Sequence, residues 1–406
     1  MSGIGIKASG GVTYPHGWKA AGVAAEVKYR NRRDFALVVS ESEATVAGVF
    51  TTNAMAAAPV RYNRALVKGG KVRAFTVNTG FANACTGARG EEDVLATARL
   101  AAEALGVPAG EVAVSSTGVI GALLPMDRIE AGIRLAVPAL AATPEAADAA
   151  AHAIMTTDTV PKQVSAAFEV EGREVRIGGM SKGAGMIEPN MATMLAFVTT
   201  DAAVAAADLD AVVREAAGAS FNRIVIDNDR STNDSLFLAA NGASGVALAP
   251  GKPGWDDFRE AVKGACLCLA KQNVMDGEGV SKFATVTVTG AKSDADAQLA
   301  ARAIARSMLV KTSWYGADPN WGRVICAVGY SGAAAEESKT TIRYSGIPAF
   351  ERGKVAGAKE LEAMARALKE REILLEVDLG LGDGACTIYT SDLTHEYVNI
   401  NADYTT

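Results

Sequence analysis

Histidine is nearly missing from this sequence: His16, His152 and His395 are the only three in 406 residues. None stands in a nucleophile-elbow or metal-ligand spacing, so a histidine-based triad and a histidine-held metal both lack a foothold. Basic runs are missing too. Lys and Arg number 40 against 46 Asp and Glu, a formal charge of −6, which argues against the electrostatic footprint of a nucleic-acid binder. Long apolar runs are absent. The most hydrophobic stretch, Leu135 to Met155, is alanine-rich and broken by Pro138, Pro144, Glu145 and Asp148, so it reads as no membrane span. The opening residues MSGIGIKASGGVTYPHG lack the basic and apolar regions of a signal peptide. No nicotinamide fingerprint appears. Cysteine is sparse and odd in number (Cys85, Cys266, Cys268, Cys326, Cys386), which predicts buried free thiols in a reducing, cytosolic compartment. Cys266 and Cys268, two apart on a helical pattern, point away from each other and make a poor metal clip.

What the chain has in quantity is alanine, glycine and other small residues. Hydrophobic residues reach 49% while aromatics stay at 6%, which predicts a large core packed by close backbone approach rather than by bulky rings. Strand-like runs are Phe35–Ser40, Ala44–Thr51, Val72–Asn78, Val112–Ser116, Met194–Thr199, Arg223–Ile226, Ala284–Val288 and Leu374–Val377. Helical spacing marks Glu91–Leu105, Pro144–Met155, Ala206–Ala219, Trp255–Gln272, Ser293–Ser307 and Ala358–Arg371. Strands often follow strands, so the pattern predicts an α+β fold, layered sheets covered by helices in an αββα-like sandwich, with a smaller C-terminal α/β domain. The Gly/Pro-rich stretch Asn241 to Trp255 and a break near Gly277–Ser281 suggest a division into 1–200, 201–281 and 282–406.

The richest segment runs GGMSKGAGMIEPNMATMLAFVTTD, from Gly178 to Asp201. A glycine-dense loop can press its backbone against a ligand while Lys182 offers a point charge to a carboxylate. Three readings compete for it. One is a tight glycine turn, with Thr193 merely a β-branched residue opening a strand. Another is a phosphate loop, although no Gly-Lys-Ser/Thr follows and no helix starts after Lys182. The third is a self-processing nucleophile. The Thr193 hydroxyl would attack the carbonyl of Ala192, and hydrolysis of the resulting ester would free an amine of reference pKa near 7.7–8.0 to act as its own base. Thr117 and Gly118, at the end of another strand, could aim a hydroxyl and an N–H into a cleft, or simply cap the next segment. Glu278, between Gly277 and Gly279, could face a substrate ammonium, but it reads more readily as a surface turn residue and Lys182 as a solvated lysine, while Asn401 and Thr406 lie where a tail is disordered by default.

The run KGAGMIEPNMATMLAFVTTDA (182–202) closely resembles the signature of the ornithine acetyltransferase, or glutamate N-acetyltransferase, family. Further blocks resemble the family in order over nearly the whole chain: NTGFANACTG (78–87), AVSSTGVIG (113–121), MTTDTVPKQ (155–163), FNRIVIDNDRSTND (221–234), MDGEGVSK (275–282), GADPNWGRV (316–324) and the tail YVNINADYTT. Asn228 and Arg230 depart from the more usual Gly and Thr.

By this resemblance Ala192-Thr193 is the bond cut autocatalytically, leaving an alpha chain 1–192 and a beta chain 193–406. Thr193 is the nucleophile, and Thr117 and Gly118 form the oxyanion hole. Thr156, Lys182, Thr193, Glu278, Asn401 and Thr406 bind substrate. The implied reaction moves acetyl from N-acetylornithine to glutamate through an acetyl-threonine, recycling acetyl in arginine biosynthesis. It needs no metal and no bound cofactor, and acetyl-CoA stands open as a second acetyl donor. The implied assembly is a heterotetramer of two alpha and two beta chains in the cytoplasm, without nucleic-acid or membrane partners. The rivals are an aminopeptidase or amidase that lets water take the acyl group, and a non-catalytic binding protein on the same scaffold.

Overall fold

Phe35–Phe50 forms one sixteen-residue strand where its apolar pattern predicts two. The polar break Glu41-Ser42-Glu43 is exposed, and pairing with the next strand shifts register between Val39 and Ala44. The strand continues because its halves have different partners on one side. Phe35–Val39 and Ser40 pair with the strand at Trp18–Val23, and Thr45–Phe50 pairs with Ser235–Ala240.

This strand organises the first of two units in the computed structural model, which describes residues 4–188 and 194–403. The unit comprises Met1–Asn222 and Asp229–Asn273. In chain order the strands are β1 (Gly5–Lys7), β2 (Trp18–Val23), β3 (Phe35–Phe50), β4 (Lys71–Phe81), β5 (Val112–Val119), β6 (Lys162–Val170), β7 (Arg173–Lys182), β8 (Leu195–Thr200), β9 (Ala203–Val204), β10 (Ile224–Val225, in the second unit), β11 (Ser235–Ala240) and β12 (Ala247–Leu248). Nine of them make one sheet in the order β1-β6-β7-β8-β11-β3-β4-β5, with β2 also on β3, while β9 and β12 pair separately. Its helices are α1 (Ala58–Leu66), α2 (Gly87–Leu105), α3 (Met126–Ala136), α4 (Pro144–Ala153), α5 (Ala206–Ala219) and all but the last two residues of α6 (Trp255–Met275).

Alternation along β3 feeds two cores. Phe35 and Leu37 pack with Val94, Ala98 and Ala101 of α2 and Ile129 and Ile133 of α3. Ala36 and Val38 turn the other way, into a core holding Phe50, Phe75, Phe197 and Phe237, whose ring centroids lie 5.2–5.6 Å apart. Few aromatics suffice because helices approach closely. A methyl group on Gly22 of β2 would overlap the carbonyl of Ala149 in α4, and Ala147, Ala150 and Ala151 of that helix are fully buried.

The second unit comprises Arg223–Asn228 and Val274–Thr405. Its further strands are β13 (Phe283–Ala291), β14 (Thr341–Tyr344), β15 (Ile347–Glu351), β16 (Lys354–Val355), β17 (Glu372–Asp378) and β18 (Gly384–Ser391), and the sheet runs β10-β18-β13-β17-β14-β15-β16. Its helices are α7 (Asp294–Arg306), α8 (Met308–Tyr315), α9 (Trp321–Tyr330), α10 (Ala358–Ala367) and α11 (His395–Asp403). The alanines of α7 (297, 300, 301 and 305) lie in one core with Val286, Val288 and Ile388 of the sheet. The architecture is α+β, as the irregular order of elements predicts.

Several local expectations need correction. Arg223–Ile226 is a 3-10 turn leading into the two-residue β10 rather than a full strand. The glycine-dense segment is not all loop: Gly178 to Lys182 completes β7, paired to β6 on one side and β8 on the other. All five cysteines are free, but only Cys266 and Cys386 are buried, while Cys85 and Cys326 are exposed. Burial pushes the Cys266 thiol up to about 12. The tail is helical through Asp403. Among the described residues no helix is long and apolar enough to cross a membrane, and no group of three or more His, Cys, Asp or Glu could hold a metal.

Candidate active site

Lys182 is the last residue of β7 and pairs across the ladder with Leu195, the first of β8. That register places the lysine opposite a residue two positions along the chain from Thr193. Its side chain is only 10% exposed, so the solvated-lysine reading fails. Its Nζ donates to Thr156 Oγ1 at 2.6 Å and more weakly to Thr117 Oγ1 at 3.4 Å. Three residues far apart in sequence are thus brought into one small volume.

Thr117 reaches it because β5 runs on to Val119 instead of ending in a cap. Ser116 Oγ donates to Asn78 Oδ1 of the parallel neighbour β4 at 2.6 Å. Asn233 Nδ2 donates to the carbonyls of Ser116 (2.8 Å) and Ala82 (2.5 Å), clamping the strand end. Gly118 has φ +131° and faces Gly80 across the ladder, where the register slips at Phe81. A Cβ on Gly118 would overlap the Gly80 backbone, so only glycine allows this approach. The bulge re-aims the end of β5, a device common beside functional sites.

Thr156 is held from both sides. Arg32 Nη2 donates to the carbonyls of Met155 (2.6 Å) and Thr156 (3.0 Å). The Thr156 N–H donates to Asp158 Oδ2 at 2.9 Å. Asp158 Oδ1 accepts the Gly183 N–H at 2.7 Å and Lys162 Nζ at 2.5 Å. Lys182 Nζ stands 4.0 Å from Asp158 Oδ2. Burial alone would push this carboxyl up, but the charges of Lys162 and Lys182, with the Lys162 and Gly183 hydrogen bonds, outweigh it. Its pKa lies well below the usual carboxylate range.

Asp234 flanks the other strand beside β8. Ser235 N donates to the Met194 carbonyl at 2.8 Å, the start of the parallel β8–β11 ladder. The Asp234 Oδ2 atom has no hydrogen-bond partner among the described residues. Burial drives its pKa well above the ordinary value, against hydrogen bonds from Ser231, Thr51 and the Met194 N–H and the Lys182 charge.

In the second unit, Glu278 and Asn401 meet: Asn401 Nδ2 donates to Glu278 Oε2 at 2.8 Å. The tail is therefore pinned. Thr394 Oγ1 donates to the Gly279 carbonyl (2.8 Å) and accepts the Tyr397 N–H (3.2 Å), capping α11 and tying it to the Glu278 loop. Asn228 has φ +70°, a backbone where the glycine usual at that position costs nothing and asparagine is tolerated. Ala192, Thr193 and Thr406 lie outside the described residues.

Sequence reasoning missed Asp158, Lys162 and Asn233 as site residues. Asp158 and Lys162 lie within the block MTTDTVPKQ, but their spacing of four signals a helical pair, whereas Lys162 opens a strand. Chemically, the Lys182 group offers one ammonium and two hydroxyls on largely buried side chains, suited to an anionic or polarised oxygen.

The ArgJ family model matches residues 19–406. The arginine biosynthesis bifunctional protein ArgJ of Symbiobacterium thermophilum is 47% identical over 401 residues, 98% of this chain and 99% of that protein. Its namesake from Geobacter sulfurreducens is 48% identical over 391 residues, covering 96% and 99%. The crystal structure of an ornithine acetyltransferase complexed with ornithine, from Mycobacterium tuberculosis, is 43% identical and covers 47% of this chain and 100% of that one, with a TM-score of 0.44.

Proposed function

This chain belongs to the ArgJ family, enzymes of arginine biosynthesis that move acetyl from N-acetylornithine to glutamate, and we propose that it does so through an acetyl group carried on Thr193. The Thr193 Oγ attacks the acetyl carbonyl of N-acetylornithine, and its own amine, freed by cutting the Ala192-Thr193 bond, takes the proton. Thr117 Oγ1–H and the Gly118 N–H stabilise the oxyanion. Collapse expels ornithine, whose amine takes that proton back from the Thr193 amine, and the glutamate α-amine then takes the acetyl by the same steps in reverse. Lys182 and Thr156 receive the substrate α-carboxylate, and Glu278, Asn401 and Thr406 are carried over from the family resemblance as further substrate-binding residues. The first half turns the N-acetyl amide into an ester on Thr193 and the second turns that ester back into an amide, so the overall reaction exchanges one amide for another and needs no energy source.

The observation that carries this reading is the Lys182–Leu195 pairing. It ends the β7–β8 ladder at the point where the chain enters β8 from Thr193, with Thr156 and Thr117 on the same ammonium. The proposed mature protein is two fragments, 1–192 and 193–406, assembled two of each, which light scattering of the purified enzyme measures. Water as the acyl acceptor, the amidase alternative, is disfavoured by membership of the family.

The test is enzyme given N-acetylornithine alone. Mass spectrometry should find one acetyl group on the fragment that begins at Thr193, and double-reciprocal plots against glutamate should be parallel. Thr193→Ala should stay full-length and inactive. Normal cutting of that variant, or intersecting lines with an unmodified fragment, would remove the nucleophile. Replacing N-acetylornithine with acetyl-CoA in the same assay decides whether a second donor is used.

A further inference from the structure

Three consecutive residues, Asn233, Asp234 and Ser235, lead into β11 and tie together two parts of the site. Asn233 Nδ2 donates to the Ser116 carbonyl at 2.8 Å, one residue before Thr117. Ser235 N donates to the Met194 carbonyl at 2.8 Å, and the Asp234 carboxyl accepts the Met194 N–H. Met194, the residue after Thr193, is therefore gripped at both of its backbone polar groups by two adjacent residues. The grip is itself held. The Asp234 carbonyl accepts the Thr51 N–H at 3.0 Å, while Ser231 Oγ accepts the Asn233 N–H at 3.1 Å and donates to the Asp234 carboxyl. Asn233, Asp234, Ser235 and Met194 are all buried.

A peptide bond is planar, so a hold on the Met194 N–H is also a hold on the plane it shares with the Thr193 carbonyl. That hold gains weight once the Ala192-Thr193 bond is cut, because Thr193 becomes a chain end, and chain ends swing unless tied down. The β7–β8 pairing stops at Leu195, so the grip on Met194 carries the order of the sheet one residue closer to the nucleophile. Asp234 Oδ2 has no hydrogen-bond partner among the described residues. Burial favours the neutral acid, with Oδ1 as the acceptor and the proton on Oδ2. An asparagine side chain offers the same layout.

We propose that Asp234 is a positioning residue for the nucleophile: by accepting the Met194 N–H, next to the Asn233 hold on the Thr117 strand, it sets where Thr193 stands relative to the oxyanion donors. This rests on the reading of Thr193 as the nucleophile and of Thr117 as an oxyanion donor. Asp234 touches no substrate and acts through the Thr193–Met194 peptide. It supplies an acceptor of fixed direction, not a charge. A misplacement of about 1 Å can cost on the order of 10² in rate.

Two variants separate the acceptor from the charge. Cleaved enzyme is mixed with N-acetylornithine alone, and acetylation of the fragment that begins at Thr193 is timed by quenched-flow mass spectrometry across substrate concentrations, with a thermal melt of each protein. Asp234→Ala removes the acceptor. It should slow the limiting acetylation rate at least about tenfold while the half-saturating concentration barely moves. Asp234→Asn keeps the acceptor and should cut itself and acetylate close to the wild-type rate. A structural role alone would lower the melting temperature and leave the limiting rate of folded, cleaved enzyme intact. Folded but uncut Asp234→Ala supports the proposal as a slowed rate does, because self-cleavage draws on the same hydroxyl. Asp234→Asn as slow as Asp234→Ala overturns it, since a charge would then be what Asp234 supplies. Asp234→Ala at the wild-type rate overturns it equally. If Asp234→Ala does not fold, Ser231→Ala, which removes the hydroxyl donating to the carboxyl, decides: a slowed rate at unchanged half-saturation supports the proposal, and a wild-type rate overturns it. Wild type that gains no acetyl on this fragment overturns the Thr193 reading itself, and the proposal falls with it.

Discussion

Thr117 and Lys182 share a small volume, but in the proposed mechanism they act at different moments of the reaction, so kinetics should separate them. Thr117→Val keeps the side-chain shape and removes the hydroxyl. In the cleaved fraction it should lower kcat on the order of 10²–10³, about 3–4 kcal/mol, with little change in KM, because the ground-state carbonyl is less well matched to the donor. In the same mechanism Lys182→Met removes a carboxylate contact present in ground and transition states, so KM should rise. The structure adds a smaller fall in kcat, since Lys182 Nζ also donates to Thr117 Oγ1 and helps decide where that hydroxyl points. Steady-state constants on the cleaved fraction check both. A Thr117→Val enzyme with raised KM and intact kcat would make Thr117 a binding residue, and the oxyanion hole would have to be sought elsewhere.

At the scale of elements, the end of β5 and the helix α8 make two separate demands. Gly118 meets Gly80 where the β4–β5 pairing slips, with both residues at positive φ. Gly118→Ala must combine a left-handed alanine with a backbone overlap, so it should cost at least about 2–3 kcal/mol and pull Thr117 out of place. A melting temperature and kcat close to wild type would contradict that geometry.

On α8, Lys311 is buried with Nζ bonded to the Ser391 carbonyl (2.5 Å), Ser391 Oγ (3.2 Å) and Thr390 Oγ1 (3.0 Å). Burial lowers its pKa from 10.5 to about 7, against the charges of Asp392 and Asp227. A folded pKa below the unfolded one means the unfolded chain binds more protons between those values. The penalty for charging Lys311 is therefore complete below pH 7 and relieved as pH rises towards about 10.5. Urea unfolding followed by tryptophan fluorescence should show wild type gaining on Lys311→Met from pH 7 to 10. Parallel curves would mean that Lys311 titrates normally.

Across the whole molecule, the proposed cut and the sheet order are linked. Strands β8 and β11 come from 193–406, yet they lie between β7 and β3 of 1–192 in one sheet. Separating the fragments would break the β7–β8 and β3–β11 ladders and expose four edges of buried strands. The fragments should therefore co-elute in native buffer and part only in denaturant. Separation by gel filtration without denaturant would show that the sheet is not interleaved in this way.

Local chemistry is what the sequence by itself determined. Helical spacing located α5 to the residue and α7 to within one at each end, because an amphipathic stripe is written in consecutive side chains. The segment around Lys182 stood out by residue type, whereas the Thr117-Gly118 pair read as an ordinary strand exit until the ordered family blocks gave both a part in a reaction. Pairing at a distance was beyond its reach. Whether the Gly178–Lys182 stretch is loop or strand depends on β6 and β8, which lie on either side of it. Whether Lys182 is solvated or buried depends on Thr156 and Thr117, 26 and 65 residues away. The assignment of one carboxylate between two lysines was decided only in the folded core, where excluding water makes a gap of 2.5 Å and one of 4.0 Å electrostatically different.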